Sequence, residues 1–265
     1  MKNRTLSDHR TQSGNYRKNF NSSGKGFEPL EFLRYINEKK KTKQEKVEKV
    51  SKPKIMTLFV GCGVAVKALR LGFMDLIHEY TDARFTGRLM KLVAEIYRRD
   101  KEGEKGKHAI RFSESRPLLT TIRFQDRENV VSHISNEFEY AVDEARTTAT
   151  LKMNALYIRS TIAPRCASHF RILSRLSIIS DFSFSEINQR YEPAGPLSGM
   201  TVCASTGYIP VGAYLAAEIV ARFPEGTVLT DRDSVIHCVG VEFSQQNVNT
   251  FSPLKGGSFL VVGVY

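Results

Sequence analysis

The sequence predicts an α+β protein: a disordered basic N-terminal arm, followed by one mixed domain with a mostly antiparallel sheet and three to four helices. Three observations predict this class. Residues 1–53 are rich in Lys, Asn, Ser and Gly, so they cannot bury enough apolar surface to fold. Residues 54–100 contain helix-length amphipathic segments. The remaining residues, up to 265, contain runs of β-branched and apolar side chains bounded by Gly and Pro, which favour strands.

The positive charge of the chain is concentrated in the arm. The 39 Lys and Arg side chains and the 28 Asp and Glu side chains give a net charge of +11. Residues 1–54 hold 15 basic and 6 acidic side chains, which leaves 24 and 22 for the other residues. Such an asymmetry indicates a polyanionic partner that is contacted by a tail, and nucleic acid and anionic membrane are the two candidates.

Within the arm we predict one short helix near residues 29–37, where Pro29 suits a first helical turn and the apolar residues have helical spacing. This helix is a candidate peptide for self-association or partner binding. The lysine-rich run that follows is either a solvated linker or a nuclear-import signal or nucleic-acid contact. The candidate contact residues of the arm are Lys39, Lys40, Lys41, Lys43, Lys46, Lys52 and Lys54.

The globular domain is predicted to span residues 54–265 and to open with a strand over 54–60, which ends at the Gly61–Gly63 turn. A strand, a glycine turn and a helix begin many nucleotide-binding folds. A cofactor-dependent enzyme built on this turn is therefore one alternative. The third glycine and the following acidic residue of that fingerprint are missing, which favours a plain strand-to-helix connection.

Two helices are predicted next, over Val64–Tyr80 and Arg84–Arg99. In the second helix the apolar residues fall on one face, and the basic residues are left facing solvent. Its candidate polyanion contacts are Arg88, Arg98 and Arg99.

Periodicity and turn residues predict the remaining elements. These are a loop at 101–111, a strand-like segment at 118–124, a helix at 130–145, strands at 151–162 and 171–180, a loop at 191–199, a helix at 211–223, and strands at 235–243 and 258–265. The loop at 191–199 contains two prolines and two glycines and is the candidate for a subdomain seam.

A second basic region lies between Ala145 and Ser180, where six basic residues occur without a single acid. Neighbouring strands are expected to align these side chains into one basic face for RNA or acidic lipid headgroups. The candidate contacts on this face are Arg159, Arg165, Arg171 and Arg175.

Catalytic and metal-binding patterns are sparse. The four cysteines, Cys62, Cys166, Cys203 and Cys238, have no metal-ligand spacing, and we predict them to be reduced core residues. His237 and Cys238 are adjacent in a predicted strand and therefore point to opposite faces. We predict no cofactor and no metal site. No apolar run approaches the roughly 20 residues that cross a bilayer, so we expect a soluble or peripheral protein.

The order and charge of these features resemble the matrix proteins of rhabdoviruses, particularly plant-infecting ones. The shared layout is a lysine-rich arm over residues 1–54, then a strand, helices, further strands and a late helix. It extends over much of the chain and includes no diagnostic motif; the proline-tyrosine budding motif of some members is missing. The resemblance implies self-association, nucleocapsid condensation and contact with the inner membrane leaflet, in the virion and in the host cytoplasm or nucleus.

We therefore expect a non-enzymatic, matrix-like viral assembly protein that binds nucleoprotein or RNA and acidic membrane surfaces and that self-associates. A coat or cell-to-cell movement protein that binds single-stranded nucleic acid is an alternative, because a basic arm before a β-rich domain suits either role. The enzyme built on the Gly61–Gly63 turn is the alternative from a different class.

Overall fold

The computed structural model describes residues 58–104, 106–126, 130–134 and 138–265, without the side chains of residues 75, 77 and 78. The predicted arm and its short helix lie outside these residues. All described residues belong to one compact unit, Lys54–Tyr265. The predicted class is confirmed: this unit is a mixed domain in which all strand pairs of the described sheets are antiparallel.

Among the described residues, all helices precede all strands in the chain. They are α1 (Leu58–Gly72), α2 (Met74–Tyr80), α3 (Phe85–Arg99), α4 (Arg116–Leu119) and α5 (Val130–Ile134), with a 3₁₀ turn at Ser113–Ser115. The helix predicted over Arg84–Arg99 is confirmed as α3. The helix predicted over Val64–Tyr80 is instead two helices: α1 begins earlier, at Leu58, and ends at Gly72, and α2 follows after Phe73.

The strands form three sheets. The strands are β1 (Phe138–Val142), β2 (Thr148–Tyr157), β3 (His169–Ser180), β4 (Phe182–Ser185), β5 (Arg190–Pro193), β6 (Thr201–Ser205), β7 (Ile209–Pro210), β8 (Tyr214–Arg222), β9 (Asp233–Asn247) and β10 (Thr250–Val264). A five-stranded sheet has the order β10-β9-β3-β6, with β7 also paired to β3. A three-stranded sheet has the order β1-β2-β8, and β4 pairs with β5.

Strand β3 lies at the centre of a three-layer arrangement. Its Leu173 and Ile179 pack in one apolar cluster with α1, α2 and α3. Its Phe170 and Ile172, which alternate with them, pack in a second cluster with β1, β2 and β8. Because successive side chains point to opposite faces of a sheet, the helix layer and the three-stranded sheet cover opposite faces of the five-stranded sheet.

The predicted opening strand and glycine turn are wrong where the structure describes them, because helix α1 already begins at Leu58. Gly61 is buried inside this helix, and a Cβ there would lie 2.6 Å from the ring of Tyr191. The glycine thus allows close packing of the helix on β5. Gly63 faces open space. The turn on which the cofactor-dependent enzyme was based is therefore not formed.

The helix predicted at 211–223 is wrong, because this segment forms strand β8. Leu215 and Ile219 are both buried, and their spacing of four residues fits a helix as well as a strand. Ala221, two positions further, is also buried, whereas the residues on either side of it are exposed. The antiparallel pairing with β2 then determines that this segment is a strand.

Two other segments also differ from the predictions. The helix predicted at 130–145 is shortened to α5, and residues 138–142 form β1 instead. The strand-like segment 118–124 contains the end of α4, and only Arg123 makes an isolated bridge, to Leu260. Both segments lie at the edges of the sheets, where the partner strand decides the local structure more than propensity does.

The other predicted strands are confirmed as β2, β3, β9 and β10. β10 is longer than predicted because it begins at Thr250, where a turn joins it to β9. In the candidate seam at 191–199, the first three residues belong to β5 and the others connect β5 to β6.

Candidate acidic-surface binding face

Helix α1 exposes apolar side chains on its outer side. Its inner side buries Cys62, Ala65 and Leu69 against the core. Four apolar residues remain at the surface and form what we call the α1 ridge: Phe59 (71% exposed), Val60 (47%), Val64 (36%) and Leu71 (38%). At about 3.6 residues per turn, these positions share one side of the helix. Exposed apolar side chains that share the outer half of a helix are typical of an interaction site.

Two cations belong to the same side of α1. Lys67 and Arg70 are exposed, and neither makes an ion pair with a described residue. Lys67 lies three residues after Val64, so the ammonium group is carried beside the ridge. Helices that rest on acidic membrane surfaces combine apolar side chains with Lys and Arg in this way.

Helix α3 adds further cations to the helix layer. Of its predicted contacts, Arg98 is exposed and has no ion pair among the described residues, and its positive charge acts on the Cys62 thiol of α1. Arg98 therefore lies near α1. Arg99 is exposed and pairs with Glu95 at 3.2 Å, an exposed pair that leaves most of its charge accessible to solvent.

Arg88, the third predicted contact on α3, has a structural role. Its guanidinium pairs with Asp82 at 3.0 Å and with Asp126 at 2.8 Å. It also donates hydrogen bonds to the carbonyl oxygens of Arg123 and Phe124. Because these contacts use several of its N–H groups, Arg88 fixes the 123–126 segment beside α3 rather than presenting a free charge.

A shallow groove of about 290 Å³ runs beside Arg88 between α3 and residues 121–123. Lys91 from the helix and Arg123 from the opposite wall line it and are exposed, together with Glu95. The groove continues the positive character of the helix layer. Neither Lys91 nor Arg123 was predicted as a contact, because the segment of Arg123 is brought beside α3 by the hydrogen bond from Arg88 to the carbonyl oxygen of Arg123.

The basic sheet face predicted from Arg159, Arg165, Arg171 and Arg175 is not formed. Arg175 is only 2% exposed, and its Nε and Nη2 atoms donate to the carbonyl oxygen of Gly72 at 3.1 and 2.9 Å. The Ser177 hydroxyl donates to the same oxygen at 2.8 Å. A cation at a helix C-terminus matches the helix dipole, so Arg175 caps α1 inside the protein.

Arg171 is also held internally. Its Nη2 lies 2.9 Å from one oxygen of Glu242, and its Nε lies 2.7 Å from the other. Glu242 is 4% exposed and also accepts hydrogen bonds from Tyr80 and Tyr208. Burial and the neighbouring Glu242 carboxylate raise the pKa of Tyr80. The Arg171 charge is thus neutralised within this cluster, which connects α2 with β3 and β9.

Arg159 and Arg165 are exposed in the connection between β2 and β3. Neither makes an ion pair with a described residue. They remain accessible contacts, separate from the two buried arginines. The candidate lysines of the arm lie outside the described residues: Lys39, Lys40, Lys41, Lys43, Lys46, Lys52 and Lys54.

The cysteines and His237 do not form a reactive site. His237 lies between the two larger sheets and contacts the Ser174 hydroxyl at 2.9 Å, whereas Cys238 belongs to the cluster under the helices. Their opposite orientation is as predicted. Burial raises the pKa of Cys238 to about 12, far from a reactive thiolate. None of the four cysteines is in a disulfide, but Cys166 and Cys203 are exposed rather than in the core.

Residues of the α1 ridge were missed because the run from Ile55 to Val60 fits a strand equally well. A signal was present in the sequence: residues 58–72 contain many apolar side chains, two cations and no acid. A helix with this composition cannot bury all of its faces at the surface of a small domain.

Among the described residues, no group of His, Cys, Asp and Glu side chains is arranged to hold a metal ion. No described helix is long and apolar enough to span a membrane. Comparisons of the chain with protein-family models, with curated proteins and with solved structures gave no match.

Proposed function

We propose that this chain is a non-enzymatic, matrix-like assembly protein that binds acidic surfaces, namely acidic membranes and nucleoprotein or RNA, and that self-associates. The observation that carries the proposal is the α1 ridge with Lys67 and Arg70 beside it. These groups share one outer side of a helix whose other side is anchored in the core. The resemblance in layout to rhabdovirus matrix proteins adds no support, because its opening strand, where the structure describes it, is part of α1 and its late helix is strand β8.

The chemistry of the helix layer suits an acidic membrane. Phe59 and its aliphatic neighbours supply surface that gains free energy on entering the acyl boundary, at about 25 cal/mol per Å². Each Lys or Arg near an anionic leaflet adds about 1 kcal/mol. Lys67 and Arg70 provide two such charges on α1, and Arg98 is a further exposed cation on the neighbouring helix α3. The two contributions act together, because lipid anchoring generally needs an apolar and an electrostatic component.

Vesicle flotation tests this proposal. The full chain is expected to float with vesicles that contain phosphatidylserine and not with vesicles of phosphatidylcholine alone. The double variant Phe59→Asp/Val64→Asp should lower the apparent affinity on the order of tenfold or more, since it removes apolar contact and adds like charge. The matched control is Ile187→Asp, which changes an apolar residue that is 94% exposed in the turn between β4 and β5.

The charge component is tested by Lys67→Glu and Arg70→Glu. Each is expected to weaken binding to acidic vesicles by about fivefold or more and to reduce the salt dependence. Arg190→Glu, an exposed change on β5, serves as the control. Equal flotation of wild type and all ridge variants would rule out the helix layer as the membrane contact.

A further inference from the structure

We propose that the outer face of the three-stranded sheet binds single-stranded nucleic acid by stacking bases on Tyr157 and Tyr214. The inference rests on the proposed function, in that it assigns the RNA-binding part of that function to a site. The two tyrosines lie directly opposite each other on β2 and β8. Their ring centroids are 4.9 Å apart, with the ring planes at 35°. Both side chains are open to solvent, at 39% and 74% exposure.

A β-bulge turns Tyr157 to the outside. Before the bulge, Leu151 and Met153 point into the core, and Lys152 between them points out. The register then shifts between Met153 and Leu156. After this shift Leu156 is buried and Tyr157 is exposed. Without the additional residue, Tyr157 would continue the buried series. Bulges that redirect a side chain are common beside functional sites.

The chain turns at Gly212, beside the tyrosine pair. Gly212, just before β8, has a φ of +88°, which favours glycine. Its amide donates to the carbonyl oxygen of Ile158, directly after Tyr157. A Cβ at this glycine would lie 4.0 Å from the Tyr157 hydroxyl oxygen, so this turn lies beside the polar end of the Tyr157 side chain.

Positive charge gathers at the same end of β2. Arg159 follows Tyr157 by two residues, and Arg165 lies in the same connection to β3. Both are exposed, and neither is paired with a described acid. Lys152 contributes less, since its neighbours across the strands are Glu139 and Glu218. The sheet therefore has a cationic end that coincides with the tyrosine pair.

Single-stranded nucleic acid fits this combination best. Aromatic side chains on an open sheet stack unpaired bases, and adjacent arginines contact the phosphates. A membrane is a poorer fit, because the outward residues along the middle of the two strands are mainly polar or small, with Lys152, Asn154 and Glu218 exposed. The face is also on the opposite side of the domain from the α1 ridge.

The experiment measures binding of the full chain to labelled oligouridylate by fluorescence anisotropy over a range of salt. Raised salt suppresses contacts made by charge alone, so the stacking contribution is measured there. Tyr157→Ala/Tyr214→Ala should weaken binding at least fivefold, while Tyr214→Phe, which keeps the ring, should bind like wild type. Val220→Ala, an exposed change elsewhere on β8, is the matched control.

Two further measurements make the result decisive. Arg159→Ala/Arg165→Ala should weaken binding at low salt and reduce the slope of affinity against salt. Ultraviolet cross-linking to 4-thiouridine RNA should label the peptides that contain Tyr157 or Tyr214. Unchanged affinity and cross-linking in the double tyrosine variant would overturn the inference. The inference would also be overturned if the double tyrosine variant bound RNA like wild type but no longer self-associated. The tyrosine pair would then be a contact between copies of the chain.

Vesicle flotation of the same tyrosine variants separates this inference from the proposed function. They should float like wild type, because the α1 ridge is unchanged. Normal flotation together with unaffected RNA binding would refute the tyrosine site and leave the membrane part of the proposed function standing.

Discussion

The helix layer and the three-stranded sheet cover opposite faces of one central sheet, yet they present different chemistry to solvent. The helix layer exposes apolar side chains and cations, with Phe59 and Lys67 as examples. The outer face of the three-stranded sheet exposes a tyrosine pair beside Arg159. Both faces carry exposed cations, so the two proposed partners differ because of the side chains beside the cations: we propose lipid where these are apolar residues of α1, and bases where they are tyrosines.

Four arginines of the acid-free stretch also differ in their surroundings. Arg171 and Arg175 come from the same acid-free stretch as Arg159 and Arg165, but their charges are satisfied by Glu242 and by the end of α1. They hold the helix layer on the sheet, whereas the two exposed arginines remain free to meet a ligand. We therefore expect substitution of a buried arginine to lower the stability of the protein more than substitution of an exposed one.

The largest effect is expected from Arg175→Leu. The carbonyl oxygen of Gly72 would lose two of the three side-chain donors described above, and the helix end would lose its buried cation. We expect the free energy of unfolding to fall by about 3 kcal/mol. Urea denaturation of this variant and of Arg165→Leu provides the measurement. The exposed control should change stability by no more than about 0.5 kcal/mol, and equal values for both would contradict the capping role.

The next effect concerns the interface between the two larger sheets, where burial lowers the pKa of His237 from 6.5 to about 4. Between these pH values the unfolded chain binds a proton and the folded chain does not. The free energy of unfolding should therefore fall as the pH decreases from 6.5 to 4, by about 3 kcal/mol from this residue at most.

Comparison of wild type with the double variant His237→Leu/Ser174→Ala measures the histidine contribution, because the variant removes both partners of the 2.9 Å contact. Its stability should depend less on pH in this window. The same pH dependence in both proteins would show that other groups cause the acid sensitivity.

The smallest effect distinguishes the inner and outer sides of α1. Gly61→Ala places a methyl group 2.6 Å from the Tyr191 ring and should cost about 2 kcal/mol. Gly63→Ala meets open space and should stabilise the helix by up to about 1 kcal/mol. Thermal unfolding of the two variants should move in opposite directions. If both were destabilising, Gly63 would have a role that its open surroundings do not explain.

The sequence alone predicts those helices and strands whose apolar residues fit only one periodicity. Helix α3 was predicted to within one residue, since its apolar stripe and outward basic residues agree. Strand β8 was not, because Leu215 and Ile219 satisfy both a helical and an alternating pattern until the pairing with β2 is known. Helix α1 was missed at its start because an apolar run that ends at a glycine resembles a buried strand.

The candidate site was less accessible to prediction than the fold. Alternation places Arg171 and Arg175 on one face of β3, but no local pattern reveals that helices cover this face. Glu242, the partner of Arg171, is 71 residues away in sequence. The exposure of Tyr157 depends on the bulge after Met153, which shows up only in the register of β2 against β8. Long-range partners therefore decided which charges are free.

The bonds from Arg175 and Ser177 to the last carbonyl group of α1 also have a mechanical consequence. A load applied at Phe59 on a bound surface would be transmitted along α1 into β3. That strand is paired with β9 from His169 to Ser180, so the load would reach a strand that is held by a long ladder of backbone hydrogen bonds. Under traction the helix would thus act as a tether fixed to the middle of the domain rather than as a flap that peels away.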